Sequence, residues 1–276
     1  MKTQEKIRAA MVSGQFYPEE PQALQKKIRT FLAQAKSHSD ADVRALIVPH
    51  AGYDYSGQVA AEAYKLVAGR KFDSVVIVAF LHRVFLQGVF VDDVAAYETP
   101  LGKVSVDREL VREIQKPGAV FQNTMPGRFE EHSLEVQIPF LQETIPGLRI
   151  VPVYIGAQNL TNITALAEAL FKTLKDRNVL LVATTDLSHF HSYETATRKD
   201  KTLIAMLEKG DFEEIYDAYV KEEAEACGMG PVLTSILLAR KMKWVGPSLV
   251  GYANSGDVTG DRSSVVGYAA MAFKKQ

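Results

Sequence analysis

Val48-Pro49-His50-Ala51-Gly52-Tyr53-Asp54-Tyr55-Ser56-Gly57 decides how the chain is read. The short apolar run Arg44-Ala-Leu-Ile-Val48 leads into it and a helical pattern follows, so it reads as the turn leaving the carboxyl end of a buried strand. In open α/β sheets, ligands bind at that end of the strands. His50 follows Pro49, which restricts its direction of approach, and Gly52 and Gly57 give the backbone freedom just beyond. A histidine so placed serves either as a ligand or as a strand-end side chain bonded to a neighbouring carbonyl, and this stretch leaves both readings open.

Upstream, Gly14-Gln-Phe-Tyr-Pro18 reads as a turn, and Leu24, Ile28, Phe31, Leu32 and Ala35 recur at helical spacing, with Pro21 in the first turn. Downstream, Ser56 is expected to cap a helix with inner face Val59, Ala60, Ala63, Tyr64 and Val67 that stops at Gly69. Ser74 to Ala79 is apolar throughout, as in a strand covered on both faces, and runs into Phe80-Leu81-His82-Arg83. Val84 to Val91 is expected to add a strand or hairpin arm, and Arg108 to Gln115 a short helix; the stretch from Lys116 to Glu130 is irregular. In Glu131 to Leu141, Leu134, Ile138 and Leu141 share a helical face that Pro139 limits or kinks.

Strand Arg149 to Ile155, helix Ala165 to Lys175 and strand Val179 to Ala183 continue the alternation, which ends at Thr184-Thr-Asp-Leu-Ser-His-Phe190. A helix over Ala196 to Glu208 follows, then one that Asp211 and Glu214 open as a capping box. Pro231 suits the first turn of a helix through Val232 to Leu238, and the runs Ser248 to Ala253 and Ser263 to Phe273 read as antiparallel or edge strands. No repeat or linker interrupts the 276 residues, so the expectation is a single α/β domain, residues 1–276, with a central mixed, mostly parallel sheet flanked by helices.

Composition narrows the partners. Lys plus Arg number 32 against 33 Asp plus Glu, so no long-range field argues for nucleic acid or an anionic membrane. Cys227 is the one cysteine, which excludes an intramolecular disulfide and fits a reducing compartment, the cytoplasm by default. The start, Met1 to Arg8, alternates charges, and no apolar stretch approaches the roughly 18 to 20 residues that span a bilayer.

Four of the six histidines, His50, His82, His132 and His189, lie at element ends or at the start of a polar helix. Strand ends of one parallel sheet converge, so His50, His82 and the Asp186-x-x-His189 pair are expected at one rim. Two imidazoles and an anionic third ligand make a minimal mononuclear metal site suited to iron, copper or zinc. Spacing leaves the third ligand a choice between Cys227 and a carboxylate. Cys227 before Gly228 at a helix start is expected to favour the thiolate. His189 reads as a general acid or base or as a hydrogen-bonding support, with Asp186 orienting it or a ligand histidine. His132, beside Glu131 and Glu135, reads as a carboxylate-paired helix-start histidine or a support for the site. Tyr53 and Tyr55 read as half-buried rim aromatics, and Arg83 as a surface cation.

The stretches Pro49-His-Ala-Gly-Tyr-Asp-Tyr-Ser-Gly57, Glu131-His-Ser-Leu-Glu-Val-Gln-Ile-Pro-Phe-Leu141, Asp186-Leu-Ser-His189, Cys227-Gly228 and Ser263-Ser-Val-Val-Gly-Tyr-Ala-Ala270 resemble, in this order, the motifs of the Memo family. The resemblance spans nearly the whole chain. It implies a fold like that of the class III extradiol ring-cleaving dioxygenases, which are non-haem iron enzymes, with His50, His82 and Cys227 as metal ligands and Asp186 and His189 lining the same pocket. Phe80 and Leu81 depart from the small residues that usually precede the family's second histidine. The expected function is Fe(II)-dependent redox chemistry on a small molecule, with copper or zinc as the other candidate ions. Two further readings stand beside it: a module that binds a phosphotyrosine-type peptide without turnover, which family members in animals imply, and a metal-assisted hydrolase.

Overall fold

Ser74–Phe80 is buried at every one of its positions, which requires strands on both sides and cover on both faces. In the computed structural model, which describes residues 6–37, 42–92, 94–116, 120–122 and 131–276, this strand sits at the centre of a twelve-stranded sheet. It pairs in parallel with Arg149–Ile155 on one side and Val179–Thr184 on the other, and Val179–Thr184 pairs in parallel with Val43–Val48. Val265–Lys275 then joins Val43–Val48 antiparallel, and itself carries Trp244–Asn254 and the short His189–His191 strand, both antiparallel. The expected α/β class, with a mixed sheet, parallel at its centre and flanked by helices, is what the chain adopts.

Register explains why the site forms where it does. Val48 lies opposite Thr184, and Ala183 opposite Val78, so three neighbouring parallel strands end side by side. Pro49-His50, Thr185-Asp186 and Leu81-His82 therefore leave one edge of the sheet together, the carboxyl edge at which open α/β sheets bind ligands. Tyr53–Lys65 packs on Pro21–Gln34 and against the antiparallel pair, while Met229–Met242 packs on Leu160–Leu174 and on Val179–Thr184.

Several local expectations shift. Ser56 does not cap its helix: Tyr53–Lys65 begins one turn earlier with Gly52 at the N-cap, whose carbonyl accepts the Tyr55 and Ser56 amides, while the Ser56 hydroxyl donates to Ala51 O. Asp211 accepts the Glu214 amide as expected, but the Glu214 carboxylate pairs with Lys209 rather than closing a capping box. Between Val84 and Val91 only Val89–Val91 is strand. Pro139 falls in the first turn of helix Ile138–Thr144, preceded by a 3-10 turn over Glu135–Gln137. Most of the irregular stretch between Lys116 and Glu130, and His38, lie outside the described residues. Tyr53 is buried, with its hydroxyl on Val136 O, whereas Tyr55 and Arg83 are exposed.

Candidate metal centre

Three histidines meet at the carboxyl edge. His50, His82 and His132 each present a ring nitrogen within 4.8 Å of the others. His50 stands edge-on to both partners, with ring centroids 5.0 Å from His82 and 5.5 Å from His132, and the latter two are 4.7 Å apart. Ligands at about 2.0–2.1 Å from a tetrahedral ion are little more than 3 Å apart, so small rotations close this set on one cation. His132 comes from the segment just before the 3-10 turn rather than from a strand end. Phe16 packs against it at 4.5 Å, and Phe80 lies over His82 at 4.0 Å, where the bulk at that position becomes a wall of the site.

Each imidazole is held from behind. His50 is 1 % exposed; its Nδ1 lies 2.6 Å from Thr184 Oγ1, and its amide donates to Asp186 Oδ1 at 2.8 Å. Gln137 Nε2 reaches Thr184 Oγ1, Pro49 O and Ser133 O, while its Oε1 accepts the Tyr64 hydroxyl. Glu131, 2 % exposed, accepts the His82 amide at 2.7 Å and the Ser133 amide at 2.9 Å; its oxygens lie 3.0 and 3.2 Å from His82 Nδ1. It also stands 3.6 Å from His132 Nδ1.

Burial and mutual repulsion favour the neutral forms of His50 and His132. Burial, followed by the charges of His82, His132 and His189, pushes His50 well below the ordinary histidine range. Burial likewise lowers His132 to about 4 despite Glu131. Glu131 runs the other way: burial alone would raise it, but hydrogen bonds from the His82 ring, the His82 amide and the Ser133 amide bring it down to about 2. A neutral imidazole is the form that offers a lone pair to a metal ion.

Cys227 Sγ lies 3.1 Å from His50 Nε2, on one side of the cluster, and accepts the Asp186 amide at 3.2 Å. The expected thiolate does not follow from its place at a helix start. Burial pushes the thiol well up and the Asp186 charge adds to this, outweighing the backbone donors. Gly228 is required here because a Cβ would stand 2.2 Å from Thr184 O. Asp186 is itself raised by burial to about 7, with Oδ2 4.0 Å from His50 Nε2.

His189 ends the same loop. Five consecutive amides there each have their own partner: Thr185 on Val48 O, Asp186 on Cys227 Sγ, Leu187 on Gly267 O, Ser188 on Asp200 Oδ1 and His189 on Glu225 Oε1. Glu225 also takes His191 Nε2 and Lys199 Nζ. Burial lowers His189, which lies close enough to His50 and His82 to interact with both charges. Of the residues singled out from sequence, His50, His82, Asp186, His189 and Cys227 thus share one region. Missed were the roles of Thr184 and Glu225, and of Glu131 as the anchor of His82; the density of polar residues in Glu131 to Gln137 and Thr184 to His189 was the one signal for Glu131 and Thr184, and nothing near Glu225 pointed to it.

The donor set fits a divalent transition metal: three imidazoles, a thiol beside them and two buried carboxylates behind. Comparison with known proteins agrees in extent. The family model described as Memo-like protein matches residues 8–272. Relatives include a MEMO1 family protein of Aeropyrum pernix, 37 % identical over 279 residues that cover 96 % of this chain and 99 % of the relative. One from Sulfolobus acidocaldarius is 35 % identical, covering 97 % and 99 %, and one from Methanopyrus kandleri is 32 % identical with the same coverage.

Proposed function

The chain belongs to the Memo family, and from that premise we propose that it is a mononuclear metal protein carrying out Fe(II)-dependent redox chemistry on a small molecule. The observation that supports this reading is the triangle of imidazole nitrogens within 4.8 Å of one another, drawn from His50, His82 and His132. These three would hold the ion, with Cys227 adjacent to His50 as a further soft donor. Ferrous iron, when bound, supplies the one-electron chemistry that lets dioxygen oxidise an organic molecule.

The protein's own groups do the rest. Asp186, whose Oδ1 accepts the His50 amide and whose carboxyl burial raises to about 7, is the group that holds or releases a proton near neutral pH. His189, lowered by burial, is the neutral base of the pair. Its backbone, fixed by Glu225, keeps it at the rim without reorganisation. Phe16 and Phe80 exclude water from two sides of the imidazoles.

A second reading has its own support: three imidazoles are the ligand set with which zinc activates water, so the same centre also suits a hydrolase. The experiment is purification without oxygen or chelator, elemental analysis of wild type beside His50→Ala, His132→Ala and Cys227→Ala, and oxygen uptake after loading with iron, copper or zinc. One equivalent of iron, lost in the histidine variants, with oxygen consumption, supports the redox reading. Turnover under anaerobic, zinc-loaded conditions moves the assignment to hydrolysis. A wild type that binds no metal yet retains stoichiometric phosphopeptide affinity overturns both.

A further inference from the structure

An imidazole holds a cation through whichever nitrogen lacks a proton, so the value of a histidine cluster depends on tautomers that neighbouring groups must impose. Behind His82 that neighbour is Glu131. Three N–H groups converge on its carboxylate: the His82 amide, the Ser133 amide and His82 Nδ1. An ionised carboxylate accepts and cannot donate, so in its neutral form His82 carries its proton on Nδ1 and its lone pair on Nε2. Behind His50 the neighbour is Thr184. Its hydroxyl oxygen receives Gln137 Nε2, whose amide orientation is set by the Tyr64 hydroxyl on Oε1, and its own proton has the Ser133 carbonyl as acceptor. The remaining lone pair of Thr184 Oγ1 faces His50 Nδ1 at 2.6 Å, which places the proton of His50 on Nδ1 as well.

We infer that Glu131 is a positioning residue that locks His82 in its Nδ1–H tautomer, as Thr184 does His50, so that both rings present Nε2 lone pairs to a cation before any cation arrives. The inference rests on reading the cluster as a metal site. Glu131 also stands 3.6 Å from His132 Nδ1, beyond hydrogen-bond reach, so its replacement changes the surroundings of a second ring without fixing that ring's tautomer.

Glu131→Gln is informative despite its near-identical shape. Two of the three donors are backbone amides and cannot change role, and they approach opposite oxygens of the carboxylate. The new NH2 group therefore meets a donor wherever it points. The one partner able to respond is the His82 ring, which accepts at Nδ1 by moving its proton to Nε2, the atom needed for the ion.

Histidine-selective 15N labelling and long-range proton–nitrogen NMR on chelator-treated protein read the tautomers directly. Wild type is expected to show His50 and His82 as Nδ1–H, and Glu131→Gln to move His82 to Nε2–H with a cobalt(II) affinity about 10- to 100-fold weaker by calorimetry. Glu131→Asp, which keeps an acceptor-only group, is expected to retain the wild-type tautomer. An Nε2–H tautomer of His82 in wild type overturns the inference and needs no variant to fold. So does Glu131→Gln with unchanged tautomer and affinity. Wild type that shows the Nδ1–H tautomers but binds no cobalt upholds the tautomer lock and overturns the metal reading, so the two failures are distinguishable.

Discussion

Replacing Gly228 by alanine tests whether the approach of the Cys227 turn to the sheet builds the site. A Cβ there would stand 2.2 Å from the Thr184 carbonyl oxygen and 2.9 Å from Thr185 Cβ, against the ~3.5–4.0 Å of an unstrained contact. The two segments must part by more than about 1 Å. Thr184 and Thr185 are held by the Val43–Val48 strand and by Val48 O, so the displacement falls on Cys227 and the start of Met229–Met242. Overpacking of this kind costs about 1–3 kcal/mol or more, and with backbone as the obstacle the upper value applies. At roughly 2–4 °C per kcal/mol for a chain of this size, Tm should fall by about 6–12 °C. Cation affinity should fall with it, because Thr184 also holds His50. Gly230→Ala is the control: the nearest atoms to its Cβ belong to the Gln158 side chain, at 3.0–3.2 Å, and not to backbone, so Tm should fall by far less. Calorimetry on both variants decides; a Gly228→Ala protein within about 2 °C of wild type, with unchanged cation binding, refutes the reasoning.

Thr184→Val removes the hydroxyl shared by His50 Nδ1 and Gln137 Nε2; urea unfolding should show a loss of about 1–3 kcal/mol for the buried groups left unsatisfied, largely recovered in Thr184→Ser. Acid stability follows from two depressed groups. His132, at about 4 against 6.5, favours the folded state fully above pH 6.5 and loses that contribution as pH falls to 4, so the stability advantage of wild type over His132→Gln should shrink by about 3 kcal/mol over that window. Glu131, at about 2 against 4.5, stabilises fully above pH 4.5 and ceases to do so as pH falls towards 2, so Glu131→Gln should unfold with a flatter acid limb below pH 4.5. Asp186, raised to about 7, acts oppositely: its contribution is lost as pH rises through 7, and Asp186→Asn should remove that decline in a chemical-denaturation series. A divalent ion at 100 times its Kd should stabilise the wild type by about 2.7 kcal/mol, reversed by chelator and absent in His50→Ala.

Much of the architecture was legible along the chain because it depends on short-range pattern. Apolar runs such as Ser74–Phe80 and Arg149–Ile155 declare strands covered on both faces, and the residues that leave them, His50, His82 and Asp186, are thereby assigned to one edge of a parallel sheet. The order of motifs declares the family. What pattern could not supply were distances between segments far apart in the chain. Glu131 lies 49 residues from the His82 it clamps, and Cys227 lies 177 residues from His50. His132 enters the cluster from a segment whose local context suggested a carboxylate-paired helix-start histidine or a support for the site, not a ring nitrogen facing His50 and His82. Protonation was equally out of reach: a helix start argues for a Cys227 thiolate, but the balance turns on how much water the folded chain removes from the sulfur. Periodicity is a property of neighbours in sequence, whereas desolvation and hydrogen-bond pairing belong to neighbours in space, and the chemistry of this edge depends on the latter.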